Sequence, residues 1–217
     1  AWLAQGAVAQ ADIAQLASLP GDWPRPAKVM LANVAGPEAA CRIAEQLAPW
    51  QPCLQEVRSS EWAGGVKNLY RFPERLGVDR WCALVGARAL HAGAALVVMA
   101  GTATTIDTLA ADGCFAGGDI LPGIGLMRRS LAKGTAALPL ATGRYEPLPR
   151  CTEDAIVSGI IEAQAGAVER VFALLAGPDR LCLISGGHAA EIAERLSIPF
   201  QLVPNLPLEG LRQLAMA

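Results

Sequence analysis

The chain reads as a layered α/β protein, and three observations predict that class. Between Lys28 and Val57 two apolar runs of strand length flank a stretch of helical period, which is the order of a β-α-β unit. Between Leu96 and Leu121 three strand-like runs follow one another, the last two joined by Asp112-Gly113, a strong hairpin signal. Beyond Pro122 helical and strand patterns alternate to the end. With 217 residues, 53% of them hydrophobic, the chain can bury a substantial core as one large domain or two small ones.

Taken in order, Ala1 to Ala4 reads as the middle of a strand with Gly6 as its turn, as though a strand precedes the first residue. Asp12 to Leu19 has the period of a short helix, which Pro20, Pro24 and Pro26 end before a strand from Lys28 to Val34. Gly36-Pro37 opens a helix over Glu38 to Leu47, and Cys53 to Val57 is the next strand. From Ser59 to Trp81 periodicity is lost. A loop this long in a compact domain is functional or disordered, and its four aromatics argue against disorder. Asp79, Arg80 and Trp81 then lead into an apolar helix ending near His91. A carboxylate and a guanidinium at a helix start are placed to meet a polar substrate; the other reading is an N-cap with a surface ion pair.

Strands are expected at Leu96 to Ala100, Thr104 to Ala110 and Cys114 to Leu121. Gly101, Thr102, Ala103, Gly117 and Gly118 let backbone approach a ligand, and threonine hydroxyls can donate to phosphate oxygens; packing and turn formation are the other use of such residues. A helix from Ile124 to Lys133, an irregular proline-containing stretch from Gly134 to Arg150, and a long helix from Thr152 to Leu175 follow, the last with Glu153 and Asp154 in its first turn. Leu181 to Ser185 is a strand running into Gly186-Gly187. Helix Ala189 to Leu196, strand Phe200 to Val203 and a helix from Leu208 complete the order.

Net charge is −2 and no basic run exceeds Arg128-Arg129, so no nucleic-acid footprint is present. No stretch has the length and apolarity of a membrane span, and the opening lacks the charged start and long apolar core of a signal peptide, so a cytoplasmic location is expected. The six cysteines form no CxxC pair. With His91 and His188 as the only histidines, neither zinc binding nor a histidine-based nucleophile site is expected.

From Leu96 the order β-β-β-α-(α)-β-α-β-α resembles ribonuclease-H-like domains, which proteins of the actin, sugar-kinase and heat-shock chaperone superfamily pair around a nucleotide. Four segments sharpen this. Gly65 to Trp81, GVKNLYRFPERLGVDRW, is similar to the G-x-x-N-x-Y…P…L-G-x-D-R-W signature of the type III pantothenate kinases, a group that includes Bvg accessory factor proteins. Gly101 to Gly123 resembles that family's G-T-A-x-T-x-D…G-G-x-I-x-P-G segment. Cys151 to Gly159 is similar to the segment whose threonine contacts substrate, and Ile184 to His188 looks like the strand and double glycine that approach adenosine.

The resemblance implies two ribonuclease-H-like domains, residues 1–92, lacking a first strand, and residues 93–217. It implies ATP-dependent phosphorylation of pantothenate to 4′-phosphopantothenate, the first step of coenzyme A biosynthesis, with a divalent ion such as Mg2+ and a homodimer with substrate pockets near its interface. By the same resemblance Tyr70, Gly77, Val78, Asp79 and Arg80 line the pantothenate site, with Asp79 as proton acceptor, Arg80 toward the pantothenate carboxylate, and Thr152 as a further substrate contact. Gly101 and Thr102 fall to the ATP phosphates, Gly186 and Gly187 to adenosine. Asp107 is read either as orienting magnesium or a water, or as a turn residue ending its strand. Two departures stand out. Met99 replaces the aspartate that holds a monovalent cation, and a thioether is a poor ligand for K+ or NH4+. The family's D-x-G-N-[TS]-x-x-K strand is not in this sequence, and Ala1-Trp2 looks like what would follow it. The alternative is a non-catalytic relative that binds pantothenate or a nucleotide in a regulatory role.

Overall fold

A computed structural model describes residues 2–216, apart from the side chain of Pro20. The chain enters through an exposed irregular segment, a 3-10 stretch over Gln10–Ser18 and a single turn, α1 (Leu19–Asp22). Pro20 lies in the first turn of α1, where its missing N–H is not needed, so it opens a helical turn instead of ending one. The strand expected over Ala1 to Ala4 does not form at Trp2–Ala4, and Ala1 lies outside the described residues. No described strand runs alongside to pair with it, and Trp2 instead donates its indole N–H to the Glu209 carboxylate.

Two sheets follow. In the smaller, β1 (Val29–Leu31) lies parallel to β2 (Leu54–Glu56), joined across α2 (Pro37–Gln46) as a β-α-β unit. The larger sheet has seven strands: β3 (Trp62–Ala63), β4 (Val66–Asn68), β5 (Ala95–Ala100), β6 (Ala103–Leu109), β7 (Cys114–Pro122), β8 (Leu181–Ser185) and β9 (Phe200–Leu202). Their order across the sheet is β3-β4-β7-β6-β5-β8-β9. The β5-β6-β7 meander is antiparallel, whereas β8 and β9 run parallel to β5. An antiparallel meander extended by parallel crossovers from its first strand is the ribonuclease-H-like arrangement. The expected domain boundary at residue 92 falls just before β5; β3, β4 and α3 (Val78–Leu90), on its N-terminal side, join the larger sheet and the layer covering it.

Alternation along β5 divides the core. Leu96, Val98 and Ala100 pack beneath α4 (Ile124–Gly134), α5 (Thr152–Phe172) and α6 (Ala189–Ala193), whereas Ala95 and Val97 face α3 and α7 (Leu206–Met216). Arg80 through Ala87 are all buried, because α3 is held between the sheet and α7. The two helices meet at backbone distance. A Cβ on Gly210 would stand 1.8 Å from the Cys82 carbonyl oxygen, and one on Gly86 would stand 2.4 Å from that of Leu206.

Candidate functional site

Open α/β sheets bind ligands beyond the carboxyl ends of their strands, and the residues singled out from sequence gather largely at that end. β5 follows α3 after a short turn, so the start of α3 and the end of β5 lie together, and β8 runs parallel to β5.

The 59–77 segment is ordered by Asn68, a buried side chain at the end of β4. Its amide donates to the carbonyls of Ser60 and Pro73, each at 3.2 Å, and its carbonyl oxygen accepts the Tyr70 N–H at 3.0 Å. Ser59, also buried, donates to the Leu76 carbonyl at 2.8 Å. The stretch without periodicity is therefore a packed loop, with a two-stranded hairpin and a 3-10 turn at Pro73–Arg75. It delivers Gly77 and Val78 to a cavity of about 640 Å³ at the carboxyl ends of β1 and β2, which Asn33, Val57 and Ser59 also line.

Asp79 occupies the first turn of α3, where a carboxylate is favoured by the helix dipole. It is half-buried and accepts no hydrogen bond from any described residue. Its carboxylate folds back over Gly77, so that a Cβ there would lie 2.7 Å from Oδ1. One turn on, burial and then the Asp79 charge push the Cys82 thiol up to about 12; burial does the same to Cys182, and neither is a nucleophile at neutral pH.

Arg80 is not at the surface. It is 4% exposed and forks onto Asp107, which is completely buried: Nε lies 3.1 Å from Oδ2 and Nη2 bonds Oδ1. Its guanidinium carbon also lies 5.8 Å from the Tyr70 ring centroid and 6.0 Å from that of Phe115, two rings stacked 5.9 Å apart. Burial works against the Arg80 charge, but the Asp107 carboxylate outweighs it and raises the guanidinium's pKa. Burial pushes the Asp107 carboxyl up while Arg80 opposes it. Two donors of one guanidinium on one carboxylate decide for the ionised pair. Asp107 sits mid-strand in β6, opposite Gly118 of β7, and so neither ends its strand nor faces solvent. A Cβ on Gly118 would fall 2.1 Å from Asp107 Oδ1 and 2.5 Å from the Ile106 carbonyl oxygen, so the missing side chain makes room for both.

On the other face of the sheet, Gly101, Thr102 and Gly187 line a cavity of about 280 Å³ together with Arg129 of α4 and His188. The Thr102 carbonyl accepts the Gly123 N–H at 3.0 Å, which ties the turn to the start of α4. Gly186 has φ +109° and packs against the backbone of Ala100, and the His188 N–H donates to the Ala100 carbonyl at 3.1 Å. Arg129 and His188 were not singled out from sequence, because nothing in the sequence shows that they meet Thr102; the one available signal was His188 directly following the double glycine. Thr152 is not with the others. It lies in an apolar groove of about 480 Å³ between α4 and α5, with Met127, Leu131 and Ile156, on the face opposite α3.

Among the described residues no cluster of three or more Asp, Glu, His or Cys side chains is placed to hold a metal ion, and the Asp107 carboxylate is taken by Arg80. Met99, half-buried on the α3 face, offers sulfur where a hard cation needs oxygen. These donors do not fit a resident metal.

A protein from Dechloromonas aromatica (strain RCB) named type III pantothenate kinase is 64% identical over 215 residues, covering 99% of this chain and 90% of that protein. One from Aromatoleum aromaticum with the same name is 51% identical over 216 residues, covering 99% and 89%. A solved structure from Campylobacter jejuni, described as a Baf family transcriptional activator, superposes with TM-score 0.61 at 20% identity over 94% of this chain and 87% of that one, a likeness of fold alone. Residues 5–174 match the profile of the type III pantothenate kinases, and the chain belongs to that family.

Proposed function

We propose that the chain transfers the γ-phosphoryl group of ATP to the primary alcohol of pantothenate, giving ADP and 4′-phosphopantothenate, the first step toward coenzyme A. Family membership supports the activity, and the observation that carries the mechanism is the half-buried Asp79 carboxylate, without a hydrogen-bond partner among the described residues. In that state Asp79 can take the alcohol proton as the nucleophile attacks. Gly77 and Val78 shape the alcohol's pocket, and Tyr70 and Arg80 are assigned to the rest of the pantothenate molecule, Arg80 toward its carboxylate. Gly101 and Thr102 meet the phosphates, joined by Arg129, while Gly186 and Gly187 bring backbone close to adenosine. Positioning and charge do most of the work in such transfers. Magnesium enters as the counterion of the nucleotide's phosphates.

The division into residues 1–92 and 93–217 belongs to this proposal, with the 59–92 segment crossing from the smaller sheet to the larger. So does a homodimer. Thr152 opens onto an apolar groove on the face away from Asp79, so its contact with pantothenate would come from a second copy. None of the described helices is long and apolar enough to cross a membrane, which accords with the proposed cytoplasmic location. A binding-only relative is the second reading, favoured by Met99.

Both readings are tested by ADP release coupled to pantothenate addition, in wild type and Asp79→Asn. Loss of the base is expected to lower turnover by about 10²- to 10⁴-fold with the melting temperature unchanged. Equal turnover removes Asp79 from its role, and no turnover in the wild type favours the binding protein.

A further inference from the structure

Asp79 and Arg80 are neighbours on one helical turn with opposite surroundings. The first carboxylate lies half-exposed over Gly77, and the second side chain runs inward to a buried junction of four segments. α3 brings Arg80, the 69–77 loop brings Tyr70, β6 brings Asp107, and β7 brings Phe115 and Gly118. Asp107 occupies Nε and Nη2 of the guanidinium, and the neighbouring Tyr70 side chain, its ring 5.8 Å from the guanidinium carbon, adds to holding the charge.

We infer that Asp107 is a positioning residue for the phosphoryl transfer. By clamping two nitrogens of Arg80 it sets the first turn of α3 and the Tyr70 ring, so that Asp79 faces the substrate in one fixed geometry. This rests on the function proposed above. Three features argue for a geometric device over a merely stabilising one. A buried ion pair holds a fold no better than apolar side chains of similar volume. β7 gives up a side chain at Gly118, where a Cβ would fall 2.1 Å from Asp107 Oδ1 and 2.5 Å from the Ile106 carbonyl oxygen, which leaves room for the carboxylate beside the β6 backbone. The clamp also holds the guanidinium that links the helix carrying the candidate base to the candidate substrate aromatic.

The test compares wild type, Asp107→Asn, Arg80→Leu and the double variant Arg80→Leu/Asp107→Leu. Asp107→Asn leaves the Arg80 charge buried without its partner and can compromise folding, whereas the double variant removes both charges and is expected to melt close to wild type. Hydrogen exchange, measured without substrate, is expected to lose protection at Tyr70 and over Val78 to Trp81 in the double variant despite that stability. Pantothenate kcat/KM is expected to fall about 100-fold in each folded variant, the double losing no more than Arg80→Leu, with the KM for ATP within about 2-fold of wild type. Wild-type exchange or wild-type pantothenate kcat/KM in the double variant overturns the inference, as do losses that multiply. The exchange comparison decides the positioning role whether or not wild type phosphorylates pantothenate; a wild type without that activity overturns the proposed function instead.

Discussion

Asn68 joins Ser60, Pro73 and Tyr70 through one carboxamide, so a single side chain substitutes for the regular hydrogen bonding that its loop lacks. Asn68→Ala strands two half-buried carbonyls and an amide, and is expected to destabilise the protein by about 2 kcal/mol in denaturant unfolding. Pantothenate binding should weaken more than ATP binding, because Tyr70 follows directly. Residues of this kind were only half legible. The spacing of Asn68, Tyr70 and Asp79 in one segment carries the resemblance from which the proposed site is read, and Asp79 stands as a half-buried carboxylate without a described partner. Nothing in the sequence, however, shows that Asp107 lies opposite a glycine, or that Arg80 points inward. Both facts depend on strand register and on which face of α3 meets the sheet, which are set by partners distant in sequence.

Among the elements, α5 and the irregular stretch before it illustrate how a helix start is used. Glu153 and Asp154 suit the first turn electrostatically, yet they also hold the preceding segment: Asp154 Oδ1 accepts the Arg144 N–H at 3.0 Å, and Glu153 accepts the Thr142 hydroxyl at 3.1 Å. The Arg144 amide, the leading cause, holds the Asp154 carboxyl below its usual value. A carboxyl with a depressed folded-state pKa contributes above the unfolded value, about 3.9, and that contribution is lost as pH falls through the folded one. Protection factors over Thr142 to Tyr145, taken relative to the slower intrinsic exchange of amides in acid, should therefore fall selectively on acidification below about pH 4, and Asp154→Asn should show the lower protection already at neutral pH. Element types and order were readable from periodicity and turn residues from β5 to β9, whereas β3 and β4, two and three residues long, fall in the stretch from Ser59 to Trp81 where periodicity is lost. The misreadings at Trp2–Ala4 and Pro20 have local causes: an alternating pattern with no strand beside it, and a proline placed in the one helical turn that tolerates it.

For the whole molecule α7 is the brace. It packs on α3 through Gly86 and Gly210, and its end also accepts the Lys28 ammonium at the Ala215 carbonyl, 2.7 Å away, beside β1. Gly210→Ala would drive a methyl group into the Cys82 carbonyl, so the helices must part. A loss of about 3 kcal/mol, or roughly 6–12 °C in melting temperature, is expected, with the β1–β2 region loosening alongside α3. A substitution to alanine at Gly166, where nothing lies within 4 Å, serves as the control.

The contacts that α7 makes with the opening segment, Trp2 to Glu209 and Lys28 to Ala215, span 207 and 187 residues of chain. Closing loops of that length is entropically costly before any contact rewards it. The α3 face of the sheet can assemble from nearer neighbours, but the seam between the two sheets waits for the most distant pairing in the sequence. The 59–77 loop lies between those sheets, so during refolding a native-like larger sheet is expected to form before the cavity beside Gly77 and Val78 is complete.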